Sequence, residues 1–394
     1  MTTVQSPPAR FRAGGERNVR LGRVLKVLAG VREVDELLMA RIGRGFTQRD
    51  ELGARLAAAM RLPAGDPERV SMAQFRAALE HGIDAEAPPA LAEFVGTLRE
   101  DPPWLDRDLV EEGARVFRRF GRNAADVLLQ LSLIGGYRFG GPPDLLVATG
   151  ALAGESTQRR LAETQSWAVA VTTAGGLDVH GEGWRTTAHV RAMHALVNHT
   201  FEPRWDVERW GLPINQADQA GTLGLFDGTV LIGVKALGVP VSQDDSRAVM
   251  HLWKYVGWLM GVDEPWLVDS ERERQRINYH VVLAQDGITE AGPQLSQDII
   301  AVLGRLPHGR WKTERTLSML SLFLGRESMR ELGLPWRPPW AHVMLWVANS
   351  ARHRVLGRLP GGKRRLEESG ARVAQKILAE YYASDDRAVA DLPS

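Results

Sequence analysis

Apolar residues recur at intervals of three and four along most of the chain, and period-two alternation is nearly absent. From residue 19 to about 62 this spacing predicts two helices, with the break at Gly43 to Thr47. MAQFRAALEHGI predicts another helix, stopped by glycine after His81, and ALAEFVGTLRED follows the turn residues Pro88 and Pro89. In the next stretch Leu128, Leu129, Leu131 and Leu133 are too dense for a one-sided surface helix, so burial is expected there, ended or bent at Gly135-Gly136. Asp144, just before LLVATG, reads as a helix cap. TLGLFDGTVLIGVKALGV is almost wholly apolar and reads as one helix, either the wall of a pocket or a central core helix, between which periodicity does not choose. A helix capped by Ser242 follows, and its Trp253, Tyr255 and Trp258 are expected in the core. Residues 270–300 read as helix, turn, helix. TLSMLSLFLGRESMRELG, PPWAHVMLWVANSARHRVLGRLPGG and the mixed-charge KRRLEESGARVAQKILAEYYASD complete the series. Only LDVHG, at 177–181, is a strand candidate. The pattern predicts an all-α protein: one helical domain over 19–384, between a flexible tail at 1–18 and another at 385–394.

Composition narrows this further. The chain has 394 residues, 44% hydrophobic and 25% charged, as in ordinary globular proteins. Lys and Arg number 49 against 48 acids, a balance that does not call for nucleic acid. With no cysteine, disulfides, thiolate-ligated haem, iron–sulfur clusters and a thiol nucleophile are excluded. No run of about 18 apolar residues predicts a membrane span. MTTVQSPPARFRAGGERNVR lacks an apolar stretch behind a basic start, so a cytoplasmic protein is expected. The basic cluster from Arg352 to Arg365 reads as a solvated face.

Candidate chemistry gathers in STQRRLAETQSWAVAVTTAGGLDVHGEGWRTTAHVRAMHALVNHT, residues 156–200. Two helical stretches are joined here by a glycine-rich link. Arg160, Glu163 and Thr164 stand at i, i+3 and i+4 and share a helix face. On the second stretch His194 is ringed at helical spacing by Val190, Met193 and Val197. Such a histidine is either a satisfied core residue or a metal ligand. His189 and His199 lie five residues to either side and turn away from its face, and no HExxH pairing occurs. His251 and His280 are isolated and read as structural; His180, in the link, is a candidate for the pocket edge. There is no P-loop, no G-x-S-x-G elbow and no C-x-x-C-H haem attachment.

The element Arg160-Leu161-Ala162-Glu163-Thr164 and the element Val190 to Ala195 (VRAMHA) are separated by Gly175-Gly176 to Gly183. Together they resemble the latex clearing protein (rubber oxygenase) family and its wider group of MpaB-like oxygenases, loosely from about Pro103 to Trp266. The resemblance implies a b-type haem, non-covalently held, with His194 as proximal iron ligand and Arg160 and Thr164 as the distal polar groups. It implies an all-α, multi-helix single domain with a globin-like haem-binding core and extra N- and C-terminal helices. Some rubber oxygenases have a lysine where this chain has Glu163, and a glutamate cannot supply that nitrogen. Secreted members usually carry a twin-arginine export signal, a pattern not found here.

The expected function is a haem-dependent oxygenase that uses dioxygen on an apolar or aromatic small molecule. A peroxidase or peroxygenase would use hydrogen peroxide at the same site, with Glu163 moving the proton. In that reading an apolar surrounding raises the Glu163 pKa; the bland alternative is a solvent-facing ion pair with Arg159 or Arg160. A third alternative, of a different class, is a haem-free helical binding protein.

Overall fold

In the computed structural model, residues 6–150 and 155–382 are described, and all regular structure among them is helical. The helices run α1 (Gly15–Leu21), α2 (Arg23–Ala29), α3 (Glu36–Gly45), α4 (Glu51–Met60), α5 (Met72–His81), α6 (Pro89–Arg99) and α7 (Arg107–Phe120). Next come α8 (Arg122–Val127), α9 (Pro142–Ala148), α10 (Glu155–Thr172), α11 (Glu182–Phe201), α12 (Val207–Trp210), α13 (Gln216–Phe226) and α14 (Gly228–Ala236). The chain continues through α15 (Gln243–Leu259), α16 (Glu271–Ala284), α17 (Ala291–Arg305), α18 (Gly309–Glu331), α19 (Trp340–Leu356) and α20 (Gly362–Tyr382).

The starts of these helices are set by local chemistry. Asp35, Asp106, Asn215 and Ser242 each accept a hydrogen bond from a first-turn amide, satisfying donors that helix geometry leaves orphaned. The Asp144 carboxylate does the same job from inside α9, taking the Gly141 N–H at 2.8 Å and the Thr289 hydroxyl at 3.0 Å.

The main core forms where α15 packs along α7 and against α11, α13 and α16. Trp253 and Tyr255 are fully buried, as expected, while Trp258 is half-buried. Trp167 of α10 joins this core edge-on to Phe226, at 5.3 Å, and Phe226 in turn lies 5.0 Å from Trp253. A second core unites α17, α18 and α20 around Leu295, Ile299, Leu320 and Ile377. Both cores fix α10, which carries the candidate residues, against the rest of the protein.

Several expectations are corrected. LDVHG forms turns, with His180 at φ 67°, and no strand exists among the described residues. In place of the expected two helices, residues 19–62 hold the end of α1 and all of α2, α3 and α4, and α3 runs through Gly45, into the expected break at Gly43 to Thr47. The expected tail boundary at residue 18 falls inside α1. Arg10 is buried, paired with Asp218 and stacked on Phe46, so tertiary contacts order a segment whose Pro and Gly content reads as loose.

The dense leucines also behave differently. Leu128–Ile134 winds as a π-helix, leaving Leu128, Leu129, Leu131 and Leu133 half-buried while Gln130 and Ser132 are buried. The wider winding rotates the side chains away from their α-helical positions. The apolar helix expected over TLGLFDGTVLIGVKALGV is split at Asp227, whose carboxylate takes the Gly228 N–H and pairs at 2.7 Å with the buried Arg274. The expected tail at 385–394 lies outside the described residues.

Candidate active site

Helices α10 and α11 form an antiparallel pair closed by the glycine-rich link. A side chain at Gly183 would bring its Cβ within 2.7 Å of the Ala170 carbonyl oxygen and 2.8 Å of Val171 Cα. Only glycine lets the two helices approach this closely where they join. Farther along, Trp167 Nε1 donates to Thr187 Oγ1 at 2.9 Å and pins the pair. By this register Arg160 of α10 comes level with the turn of α11 that bears His194, and Arg160 Nη1 lies 4.0 Å from Met193 Sδ.

His194 is half-buried, but its Nδ1 is sealed from solvent and has no hydrogen-bond partner. Burial pushes its pKa down to about 4; the Arg160 cation adds to this, and Asp50 opposes it. The imidazole is therefore neutral around pH 7, the form that binds a metal. At 100° per residue, His194 shares the α10-facing stripe with Gly183, Thr187 and Val190. Arg191, Ala195 and Asn198 fall on the adjoining stripe, toward α4.

On the α4 side of His194 lies a cavity of about 120 Å³, lined by His194, Asp50, Arg191, Asn198, Gln219 and Met260 among others; Arg160, Glu163 and Thr164 do not line it. Asp50 grips Arg191 bidentately, Nε to Oδ2 at 2.6 Å and Nη2 to Oδ1 at 2.7 Å, and both side chains are nearly buried. Gly261 takes φ 81° beneath the pair, where a Cβ would sit 2.6 Å from Asp50 Oδ2. Asn198 is committed to the Ile214 backbone, donating to its carbonyl and accepting from its N–H, each at 2.7 Å.

Arg160, Glu163 and Thr164 do share one face. Glu163 pairs with Arg160 at 3.4 Å and with Arg159 at 3.6 Å. Its side chain is 12% exposed and its carboxylate is paired, so it is neither sealed in an apolar pocket nor free in solvent. Thr164 is exposed in mid-helix. His199 joins His194 in lining the cavity, whereas His180, His251 and His280 serve the fold. His180 Nδ1 is 2.7 Å from the Leu79 carbonyl and packs on Trp184, away from the expected pocket edge. His251 Nε2 accepts the Asp106 N–H and His280 Nε2 the Asp35 N–H, each at 2.9 Å. Asp50 and Arg191 are the residues that pattern reading missed. They are 141 positions apart, and no local spacing joins them.

Residues 125–359, more than half of the chain, match the family described as ER-bound oxygenase mpaB/B'/Rubber oxygenase, catalytic domain. The chain belongs to this family. A rubber oxygenase of Streptomyces sp. (strain K30) is 24% identical over 273 residues, 66% of this chain and 64% of that protein. The alignment thus spans less than two thirds of that relative's length. A solved structure of latex clearing protein in the closed state superposes with a TM-score of 0.66 at 20% identity, covering 89% of this chain and 95% of the other. At that identity the likeness shows the shared all-α fold.

The region matched to this oxygenase family contains Arg160, Glu163, Thr164, Arg191 and His194. Asp50 lies before it, so the partner of Arg191 comes from the helices that precede the matched catalytic domain.

Proposed function

We propose that this protein is a haem b-dependent oxygenase acting on an apolar or aromatic small molecule. Family membership supports the class, and one structural observation carries the site. That observation is the neutral His194, with an unpartnered buried nitrogen, level with a fixed cation on the facing helix. This donor set fits haem, whose iron needs as few as one protein ligand. The described residues offer no cluster of three or more His, Cys, Asp or Glu for a bare metal ion.

In this reading His194 holds the iron through an imidazole nitrogen. Bound haem supplies the redox chemistry with dioxygen. Arg160, held beside Glu163 and Met193, would supply a fixed positive charge to the bound group. Thr164, one turn on, is exposed and would offer its hydroxyl only at the solvent-facing rim of the site. Half-buried apolar side chains such as Met193 and Val190 keep the junction poor in water, which strengthens the effect of that fixed charge.

Glu163 supports a second reading, a peroxidase or peroxygenase. Its carboxylate is held against Arg160, where it can accept and return a proton.

The test is colour, then oxidant. Protein purified from haem-supplemented cells should show an intense Soret band, and His194→Ala should bleach it. A colourless parent sinks the haem reading and favours a haem-free binding protein. With haem in place, substrate oxidation under oxygen alone supports the oxygenase; oxidation that requires added peroxide favours the Glu163-assisted alternative.

A further inference from the structure

Helix α19 is built inside out. Its buried side carries Asn349 and His353 together with Ala341, and half-buried Leu345 also packs against the core. Asn349 donates to Asn123 Oδ1 and to the Leu237 carbonyl, both at 2.8 Å. The opposite side carries Trp340, Val343, Met344, Val347 and Val355, which are 41%, 60%, 43%, 56% and 62% exposed. These positions are spaced i, i+3, i+4 and i+7 and continue along the helix, so they form one stripe. A surface helix ordinarily turns such a stripe inward. Here polar contacts with α8 and the end of α14 hold the helix the other way, and water meets a continuous apolar face. Scattered exposed leucines need no explanation, but a contiguous stripe with two nearby tryptophans marks an interaction surface.

The charge around the stripe selects its partner. From Trp340 to Arg365 there is no acidic residue, and Arg352, Arg354, Arg358, Lys363, Arg364 and Arg365 are all in that span. Arg352 bonds to Ser369 and Arg364 to Glu368. Arg354 lies on the edge of the apolar stripe itself by helical angle, where its stem can lie along the apolar surface while the guanidinium reaches outward. A second copy of the chain is a poor occupant, because no pairing of this segment with itself, parallel or antiparallel, brings an acidic residue opposite its cations: residues 340–365 hold none. An apolar stripe with a tryptophan at one end and, at the other, a run of cations with no acid between Trp340 and Arg365 matches a lipid surface with anionic headgroups.

We propose that α19, with the basic segment that follows it, docks this protein onto an anionic bilayer surface. The stripe enters the headgroup boundary, and Arg354, Arg358 and Lys363 meet lipid phosphates. No helix among the described residues is long and apolar enough to cross a membrane, so the contact is at the surface. The proposal does not depend on the haem reading.

The test uses the full chain and sedimentation with vesicles of mixed phosphatidylglycerol and phosphatidylcholine, against phosphatidylcholine alone. Binding is expected on the anionic vesicles and should weaken with salt. Arg354→Gln with Arg358→Gln should lower the partition roughly 25-fold, about fivefold per cation. Val343→Ser with Val347→Ser should lower it about tenfold. These side chains face solvent, so the variants should melt like the parent. Quenching by brominated acyl chains should diminish in Trp340→Leu. Failure to bind anionic vesicles, equal binding to phosphatidylcholine alone, or quenching unchanged in Trp340→Leu would each overturn the proposal. So would a concentration-dependent dimer in light scattering that Val343→Ser with Val347→Ser abolishes, since the stripe would then be a contact between copies.

Discussion

Replacing Asp50 with alanine should destabilise the protein sharply, because it strands a cation. Arg191 is 8% exposed and Asp50 13%, and their two hydrogen bonds are 2.6 and 2.7 Å long. Breaking a buried pair by removing one partner costs about 3–5 kcal/mol, since the remaining charge keeps its desolvation cost without its counter-ion. Arg191 keeps one weak alternative, a 3.5 Å contact from Nη1 to the Leu259 carbonyl. At about 2.1 cal/mol/K of unfolding entropy per residue, 394 residues give about 0.8 kcal/mol/K, so the expected fall in Tm is about 4–6 °C. The assay is a thermal melt of parent, Asp50→Ala, Arg191→Met and the double variant. The double variant removes both charges and should recover most of the loss, because no buried ion is left unpaired. A fall of under a degree in Asp50→Ala would refute the reasoning, as would a double variant no more stable than the single one. Since α11 carries both Arg191 and His194, the same single variant should hold haem more weakly, read as faster loss to apomyoglobin.

Other substitutions reach different parts of the argument. Gly261→Ala forces a side chain into φ 81° and against Asp50, so a loss of about 2 kcal/mol is expected in urea melts. His353 is buried, and burial with Arg352 and Arg119 nearby pushes its pKa down to about 4. The unfolded chain takes that proton near pH 6.5 and the folded one only near 4, so this contribution is complete above pH 6.5 and drains away as pH falls toward 4. At pH 5 the drain is roughly 2 kcal/mol. His353→Leu should lose less stability than the parent between pH 7 and pH 5, and equal losses would contradict the assignment. Arg160→Ala should keep the Soret band yet lower turnover about 100-fold, as loss of a fixed charge-stabilising donor does. Bleaching by that substitution would instead place Arg160 in haem retention.

The helical architecture was legible because spacing of three and four survives in a single sequence, and a cap such as Ser242 acts within one turn. The pairing of Arg160 with Glu163 was legible for the same reason. The facing of Arg160 toward the His194 turn came through the two motifs and the glycines between them. Tertiary structure alone decided three things. It placed Asp50 against Arg191 across 141 residues, closing the cavity beside His194. It split one apolar run at Asp227, because a buried arginine from α16 needed a counter-charge there. It also turned α19 polar side inward, although WAHVMLWVANSARHRVL is apolar on most sides and names no inner face. Local spacing fixes which residues share a face. Which face meets the core depends on partners far along the chain, whose hydrogen-bonding needs outweigh the burial of a few valines.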